Sequence, residues 1–367
     1  PEGFRLFPAQ SVQLGNRFYF NFGDGGPTWV WDGDKLRKFG FESIPDAPRT
    51  LSPSGDAAAQ SSTGFSVRGV IGTITSNMLD NGGSPVSTHG ILRGEWYYKV
   101  VFENADGAYS KSSPASNVAS LDSSHTSSSS NAEAYRRSFY VNDIPIGPAG
   151  TVARILIRTP DTQSANVNNG DHRFRFLHRI PNNCSTEHLD NISDGALGDP
   201  WDERESPPIG TYILKTFAGS LFMMRNRAYP YRVWWSEQTS LFGSTPESFM
   251  RNHYLDVDPS SGGITGAQPV RSGAGDTTTP TMLVFQKTAT NFLSGTYPDF
   301  TVGSLHQNAG LAGPSLVQTA PDNKVLWFGN KTFWMFDPAK GSVSDVGAPI
   351  RKKLSRVNNQ KAGVGVS

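Results

Sequence analysis

Val325-Leu326-Trp327-Phe328-Gly329-Asn330-Lys331-Thr332-Phe333-Trp334-Met335-Phe336-Asp337 is an apolar run, a short polar turn and an aromatic run. That pattern describes two paired strands, because β-branched and aromatic residues suit a pleated, half-buried surface. The unit recurs upstream. Met282-Leu283-Val284-Phe285 precedes Asn291-Phe292-Leu293, and Leu221-Phe222-Met223 precedes a turn and Tyr231-Arg232-Val233-Trp234-Trp235-Ser236. The last two hairpins start roughly 42 positions apart, within the ~40–50-residue period of propeller blades. Residues 18–32 match residues 325–337, both returning through Thr, an aromatic pair and Asp. Four partial blades are therefore expected.

Between the first blade and the others the pattern changes. Glu95-Trp96-Tyr97-Tyr98-Lys99-Val100-Val101-Phe102 is a strong strand, Asn104-Ala105-Asp106-Gly107 a turn, and Phe139-Tyr140-Val141, Arg154-Ile155-Leu156-Ile157-Arg158 and Phe174-Arg175-Phe176-Leu177-His178-Arg179-Ile180 are further strands. In the last, alternation puts Arg173, Arg175 and Arg179 on one face and Phe174, Phe176 and Ile180 on the other. This spacing predicts a small β-sandwich. The expected organisation is all-β: first blade strands over 1–51, a linker or irregular arm over 52–89, an Ig- or fibronectin-like sandwich inserted over 90–198, and further blades over 199–367. The Ser-rich tract 123–130 reads as a loop.

Composition agrees. The 367 residues include 38 Gly and 25 Pro, turn-formers that many short strands require. Aromatics are 11% and charged residues 18%, the latter below the usual ~25%. The net charge of +1 supplies no global field for nucleic acid or membrane. The single cysteine, Cys184, excludes an intrachain disulfide framework, and no apolar run approaches the ~18 residues of a membrane helix. The chain starts with Pro1 and its last residues form no obvious natural end, so a processed or partial piece of a longer protein is expected.

These residues resemble bacteriophage tail structural proteins of the β-propeller nozzle or tail-tube type, the tail tubular protein B-like family. In that family a strand, Asp-Gly turn and strand lead into an Ig-like module similar to residues 94–117, with Ser113-Pro114-Ala115-Ser116-Asn117 after its aromatic strand. Residues 176–181 and Ile192-Ser193-Asp194-Gly195-Ala196-Leu197-Gly198 resemble its close. Val233-Trp234-Trp235-Ser236-Glu237, Pro246-Glu247-Ser248-Phe249, Tyr254-Leu255-Asp256-Val257, Leu283-Val284-Phe285-Gln286-Lys287, residues 310–315 and residues 325–336 resemble the blades that follow. The likeness implies a virion protein in a homo-oligomeric ring, a hexamer, that contacts adaptor and tail-fibre proteins and lets phage DNA pass during ejection. The family pattern continues beyond its final blade, which again implies truncation here.

Other motifs bear on possible chemistry. Asp24-Gly25-Gly26-Pro27-Thr28-Trp29 fits the core of the sialidase Asp-box hairpin, itself a structural element, but Phe22 replaces its leading Ser and one copy is present. His172, His178, Cys184 and His188 are potential zinc ligands without a zinc-site spacing, and we read them as surface residues. Hydrolase-elbow, Walker and dinucleotide signatures are absent. Asn183-Cys184-Ser185, Asn191-Ile192-Ser193 and Asn330-Lys331-Thr332 match the glycosylation sequon by chance. Arg351-Lys352-Lys353, Arg356 and Lys361 form a basic run that could touch DNA phosphate, but with no basic stripe elsewhere it reads as a solvated tail or a contact with an acidic neighbour. Trp234-Trp235, Phe333-Trp334 and Trp29/Trp31 read as core on one face and interface on the other. No catalytic, cofactor or metal residues are assigned, and no enzyme activity is expected. The alternative is a glycan-binding or glycoside-active propeller with an accessory sandwich, which would need clustered carboxylates.

Overall fold

The computed structural model describes residues 9–23, 25–41, 43–51, 94–121, 139–162, 172–190, 192–238, 247–272 and 279–356. The expected arm over 52–89 and the tract 123–130 lie outside the described residues. The chain is all-β. Among the described residues the helical pieces are short: Asp194–Ala196, Pro259–Ser261, Ala348–Ile350 and Arg351–Leu354. Among the described residues no helix is long and apolar enough to cross a membrane. The chain divides into two compact units, one of Pro1–Phe41 with Ser206–Ser367 and one of Glu42–Glu205.

The first unit contains four antiparallel meanders of four strands each. They comprise Gln10–Leu14, Arg17–Asn21, Trp29–Trp31 and Leu36–Lys38; then Ile213–Phe217, Ser220–Met224, Arg232–Trp235 and Tyr254–Asp256; then Ile264–Ser272, Thr279–Gln286, Thr290–Thr296 and Asp299–His306; then Val317–Thr319, Val325–Gly329, Thr332–Asp337 and Ser342–Asp345. Tight turns set the register. Asn330 and Lys331 both take positive φ in the turn that pairs Gly329 with Thr332, and Ala218-Gly219 does the same for Phe217 and Ser220. Pro269 is tolerated because Ile264–Ser272 is the edge strand of its sheet.

Strand parity explains why these meanders stack. Along Ser220–Met224, Leu221 and Met223 face the first meander while Phe222 and Met224 face the third. Along Thr279–Gln286, Met282 and Val284 face the second meander while Leu283 and Phe285 face the fourth. Strands buried on both faces read as continuous apolar runs rather than alternating ones. Tyr19 and Val30 close the first junction against Leu214, Leu221 and Met223, and Val325, Trp327 and Phe336 close the third. At that third junction the Trp327 indole donates to the Ala309 carbonyl at 3.1 Å, and a side chain on Gly329 would run into the Gly310 carbonyl. The first junction also holds a buried carboxylate: Glu247 accepts from Arg17 at 3.3 Å and Arg37 at 2.8 Å.

The second unit has two three-stranded antiparallel sheets. One is Arg175–Ile180, Thr151–Arg158 and Tyr98–Asn104; the other is His188–Asp190, Phe139–Asn142 and Arg49–Leu51; Gly94–Trp96 pairs with Ala119–Leu121. Both sheets feed one core, with Tyr98, Val100, Leu156, Leu177 and Ile180 from the first and Val141 from the second. Residues 49–51, grouped by sequence with the first blade, therefore pair with Phe139–Asn142. The Asn117 amide side chain fixes them, accepting from the Thr50 N–H at 2.9 Å and donating to its carbonyl at 3.0 Å. The unit extends beyond residue 198, since the Trp201 N–H donates to the Phe174 carbonyl and Lys111 bonds Glu205. The alternation read over 173–180 breaks at a β-bulge. Leu156 pairs His178 and Ile157 pairs Phe176, leaving Leu177 as the extra residue. Leu177 and Ile180 consequently point inward while Phe176 is exposed.

The edge of Tyr98–Asn104 is sealed by serines at every third position of the following segment. Ser110, Ser113 and Ser116 accept from the N–H groups of Phe102, Val100 and Tyr98 at 2.9, 2.9 and 3.0 Å. Their own N–H groups donate to the same three residues' carbonyls. Each hydroxyl replaces the carbonyl of an antiparallel partner, and its proton goes to the next residue's carbonyl. Ser236 does the same for Leu221 in the first unit.

Deeper in the second unit, Arg158 and Asp190 are fully buried and form an ion pair. Arg158 also bonds the Ile192 carbonyl at 2.8 Å and Asp194 at 2.8 Å, and the Tyr98 hydroxyl donates to Asp190 at 2.8 Å. Burial, and then the Asp190 carboxylate, push the Tyr98 phenol well above its ordinary range.

Two stability outcomes follow from this chemistry. Ser113→Ala leaves the buried Val100 N–H without its acceptor and lowers unfolding free energy by about 1–2 kcal/mol in chemical denaturation. Arg158→Met strands the Asp190 charge and costs about 3–5 kcal/mol, while Arg158→Met with Asp190→Leu recovers most of it.

Candidate interaction surface

The first meander treats its two faces differently. Arg17, Tyr19, Val30 and Arg37 point toward the second meander and its Glu247. The positions between them point the other way. Phe18, Trp31 and Leu36 pair in one row across three strands, and Phe20, Trp29 and Lys38 in the next. This outer face is bare: Phe18 is 45% exposed, Trp31 38%, Leu36 52%, and Phe22 just beyond the strand 56%. Phe20 and Phe22 meet edge to face at 6.0 Å. In the second row Phe20 and Trp29 are half-buried beside exposed Lys38, and together the two rows make an apolar surface of the kind found at the centre of protein interfaces.

Trp29 and Trp31 were expected to divide between core and interface. They stand two positions apart in one strand and so share the outer face, and the core residue is Val30 between them. Trp235 is buried in the core beside half-buried Trp234, and Phe333 is exposed beside half-buried Trp334. The sequence reading missed a second aromatic group on the second meander. Arg232 lies 4.2 Å from the Tyr229 ring and 4.0 Å from the Tyr254 ring, and grips Asp256 at 2.7 and 2.8 Å. The signal was the register, which pairs Arg232 with Asp256 and Trp234 with Tyr254.

Of the four potential metal ligands, the structure brings two together. His178 and His188 stack at 4.3 Å, 15° from parallel. They come from different sheets, joined by the turn at 182–185. That turn is held by the Asn182 carboxamide, which accepts from the Cys184 and Ser185 N–H groups. Buried Arg154 donates to the Asn182, Pro145 and Ser185 carbonyls at 3.2, 3.1 and 2.5 Å. His172 is exposed ahead of the strand and Cys184 is exposed on the turn. Among the described residues no group of three or more His, Cys, Asp or Glu is placed to hold a metal ion.

The remaining motifs take structural places. Asp24 of the Asp-box pattern lies outside the described residues, as do Asn191 and Lys361. Asn183 exchanges two hydrogen bonds with Gly147, at 2.8 and 3.0 Å, and Asn330 donates to the Asn308 carbonyl at 2.5 Å. Arg351, Lys352 and Lys353 are exposed on a one-turn helix, with Arg351 paired to Asp345. No protein-family model matches the chain, and no curated protein matches it.

The histidine stack makes the second unit acid-sensitive. Burial, and then the neighbouring His178, hold His188 at about 4 against an ordinary 6.5, with Asp190 opposing the shift. The folded state therefore binds this proton less tightly than the unfolded chain, and acid favours unfolding. Stability is intact above pH 6.5 and falls toward pH 4, by about 2 kcal/mol for this group after allowing for its partial exposure. Thermal melts of wild type and His188→Phe across that range test this, and the variant should show the shallower slope.

Proposed function

We propose that the chain is a structural component of a phage tail, a nozzle or tube protein whose copies form a ring around the path of the genome. The observation that carries this reading is the run of four successive four-stranded antiparallel meanders stacked face to face, ending in a bare aromatic face. Such meanders are what propeller blades are made of. The Glu42–Glu205 unit, two sheets around one core, is what an Ig- or fibronectin-like insertion would look like. The role is architectural. Meanders supply rigid walls, bare apolar faces supply subunit contacts, and near-neutral charge lets DNA slide past without the counterion-release affinity of a basic wall. Adaptor and fibre proteins would dock on the outside of such a ring, and the protein's place would be the virion.

A glycan-binding reading draws on one observation, the Tyr229–Arg232–Tyr254 group beside Trp234, since aromatic rings with a fixed Arg–Asp pair suit a sugar face. Electron microscopy of the purified chain decides between the readings. Rings with rotational symmetry, six-fold by the family resemblance, support the tail reading, together with no turnover of glycosides, peptidoglycan or nucleic acid. A monomer that binds or cleaves a glycan, and loses this on Tyr254→Ala, overturns it.

A further inference from the structure

We infer that the bare outer face of the first meander docks on the outer face of the fourth meander of a second copy, in a head-to-tail contact. The inference rests on the ring reading above and names its joint. In all three junctions of the first unit, one meander's later-facing side meets the next meander's earlier-facing side. The second strands record this in sequence. Leu221-Phe222-Met223-Met224 and Met282-Leu283-Val284-Phe285 are apolar on both sides and covered on both sides. Phe18-Tyr19-Phe20 and Val325-Leu326-Trp327-Phe328 have the same two-sided composition, yet among the described residues a neighbouring meander packs each on one side only.

The uncovered side of the first meander faces earlier and carries Phe18, Trp31 and Leu36. That of the fourth faces later. There Phe328 is buried beside the Phe333 ring, Leu326 and Met335 are half-buried, and Phe333, Val346 and Ile350 are exposed, with Val346 hydrogen-bonded back to Phe333. The stacking pattern thus specifies what covers the first face, a meander's later-facing side, and the fourth meander presents one. Within one chain Phe18 and Phe333 both remain exposed. Two different patches that complement each other between copies form a heterologous contact, the kind that closes into rings or runs on into filaments.

The full chain tests this through two variants on exposed positions. Phe18→Asp with Trp31→Asp spoils one face, and Phe333→Asp with Val346→Asp the other. Native mass spectrometry should find each variant monomeric, with the thermal transition of wild type. An equimolar mixture should give a 1:1 dimer and nothing larger, because each pair keeps one good joint. In a Cys184→Ser background, chains with Leu36→Cys should form disulfides with chains carrying Phe333→Cys, a readout that disturbs the faces less. Wild type that is monomeric at every concentration, or variants that assemble as wild type does, overturns the inference. A ring untouched by either variant overturns these faces and leaves the ring reading standing. A 1:1 variant dimer beside open wild-type filaments supports the faces and overturns the ring.

Discussion

Ser220–Met224 is a five-residue strand buried on both sides, and the first unit is organised around that burial. A strand covered on one face needs one neighbour; a strand covered on both needs two, and its neighbours inherit the same demand. The burial of Leu221 and Met223 requires the first meander, that of Phe222 and Met224 the third, and through Leu283 and Phe285 the third requires the fourth. At about 25 cal/mol per Å² of apolar surface, each such strand contributes several kcal/mol to two junctions at once. The stack is therefore cooperative along its length although no disulfide ties it together.

The second unit solves a different problem. Its core accepts charge, with Arg158 and Asp190 wholly out of solvent and Arg154 held by backbone carbonyls and the Asn182 side-chain oxygen. Ion pairs of this kind add little net stability against a well-packed apolar core, but they admit few alternative packings. Arg158 joins Thr151–Arg158 to residues 190–194, and Arg154 joins the same strand to 144–145 and the turn at 182–185. One strand thereby positions the connections that lead into and out of the other sheet.

The sequence made the aromatic middle strands legible, because runs such as Val325-Leu326-Trp327-Phe328 and Thr332–Asp337 carry hydrophobicity that nothing but β pairing explains. It hid several of the outer strands. Gln10–Leu14, Val317–Thr319 and Ser342–Asp345 are short and polar, since an edge strand with one wet side has no compositional signature. The bulge at Leu177 was hidden for another reason. Period-two reasoning presumes an unbroken ladder, and a single extra residue inverts every side assignment beyond it. The bare face of the first meander was half legible. Its aromatics were plain and Trp29 and Trp31 share a side by parity, but which side that was depended on how the meander packs, with Val30 turned to the core.

The serine-sealed edge has a consequence for the environments the chain tolerates. Proteins commonly protect an exposed strand edge with lysine or other charged side chains, whose effect weakens once ionic strength shortens the Debye length to about 10 Å or less. Ser110, Ser113 and Ser116 guard Tyr98–Asn104 with neutral hydroxyls that each accept a strand N–H and donate their proton to a carbonyl. Counterions have nothing there to screen. The protection of this edge therefore does not depend on charge, and the same hydrogen bonds close it in dilute buffer and in brine.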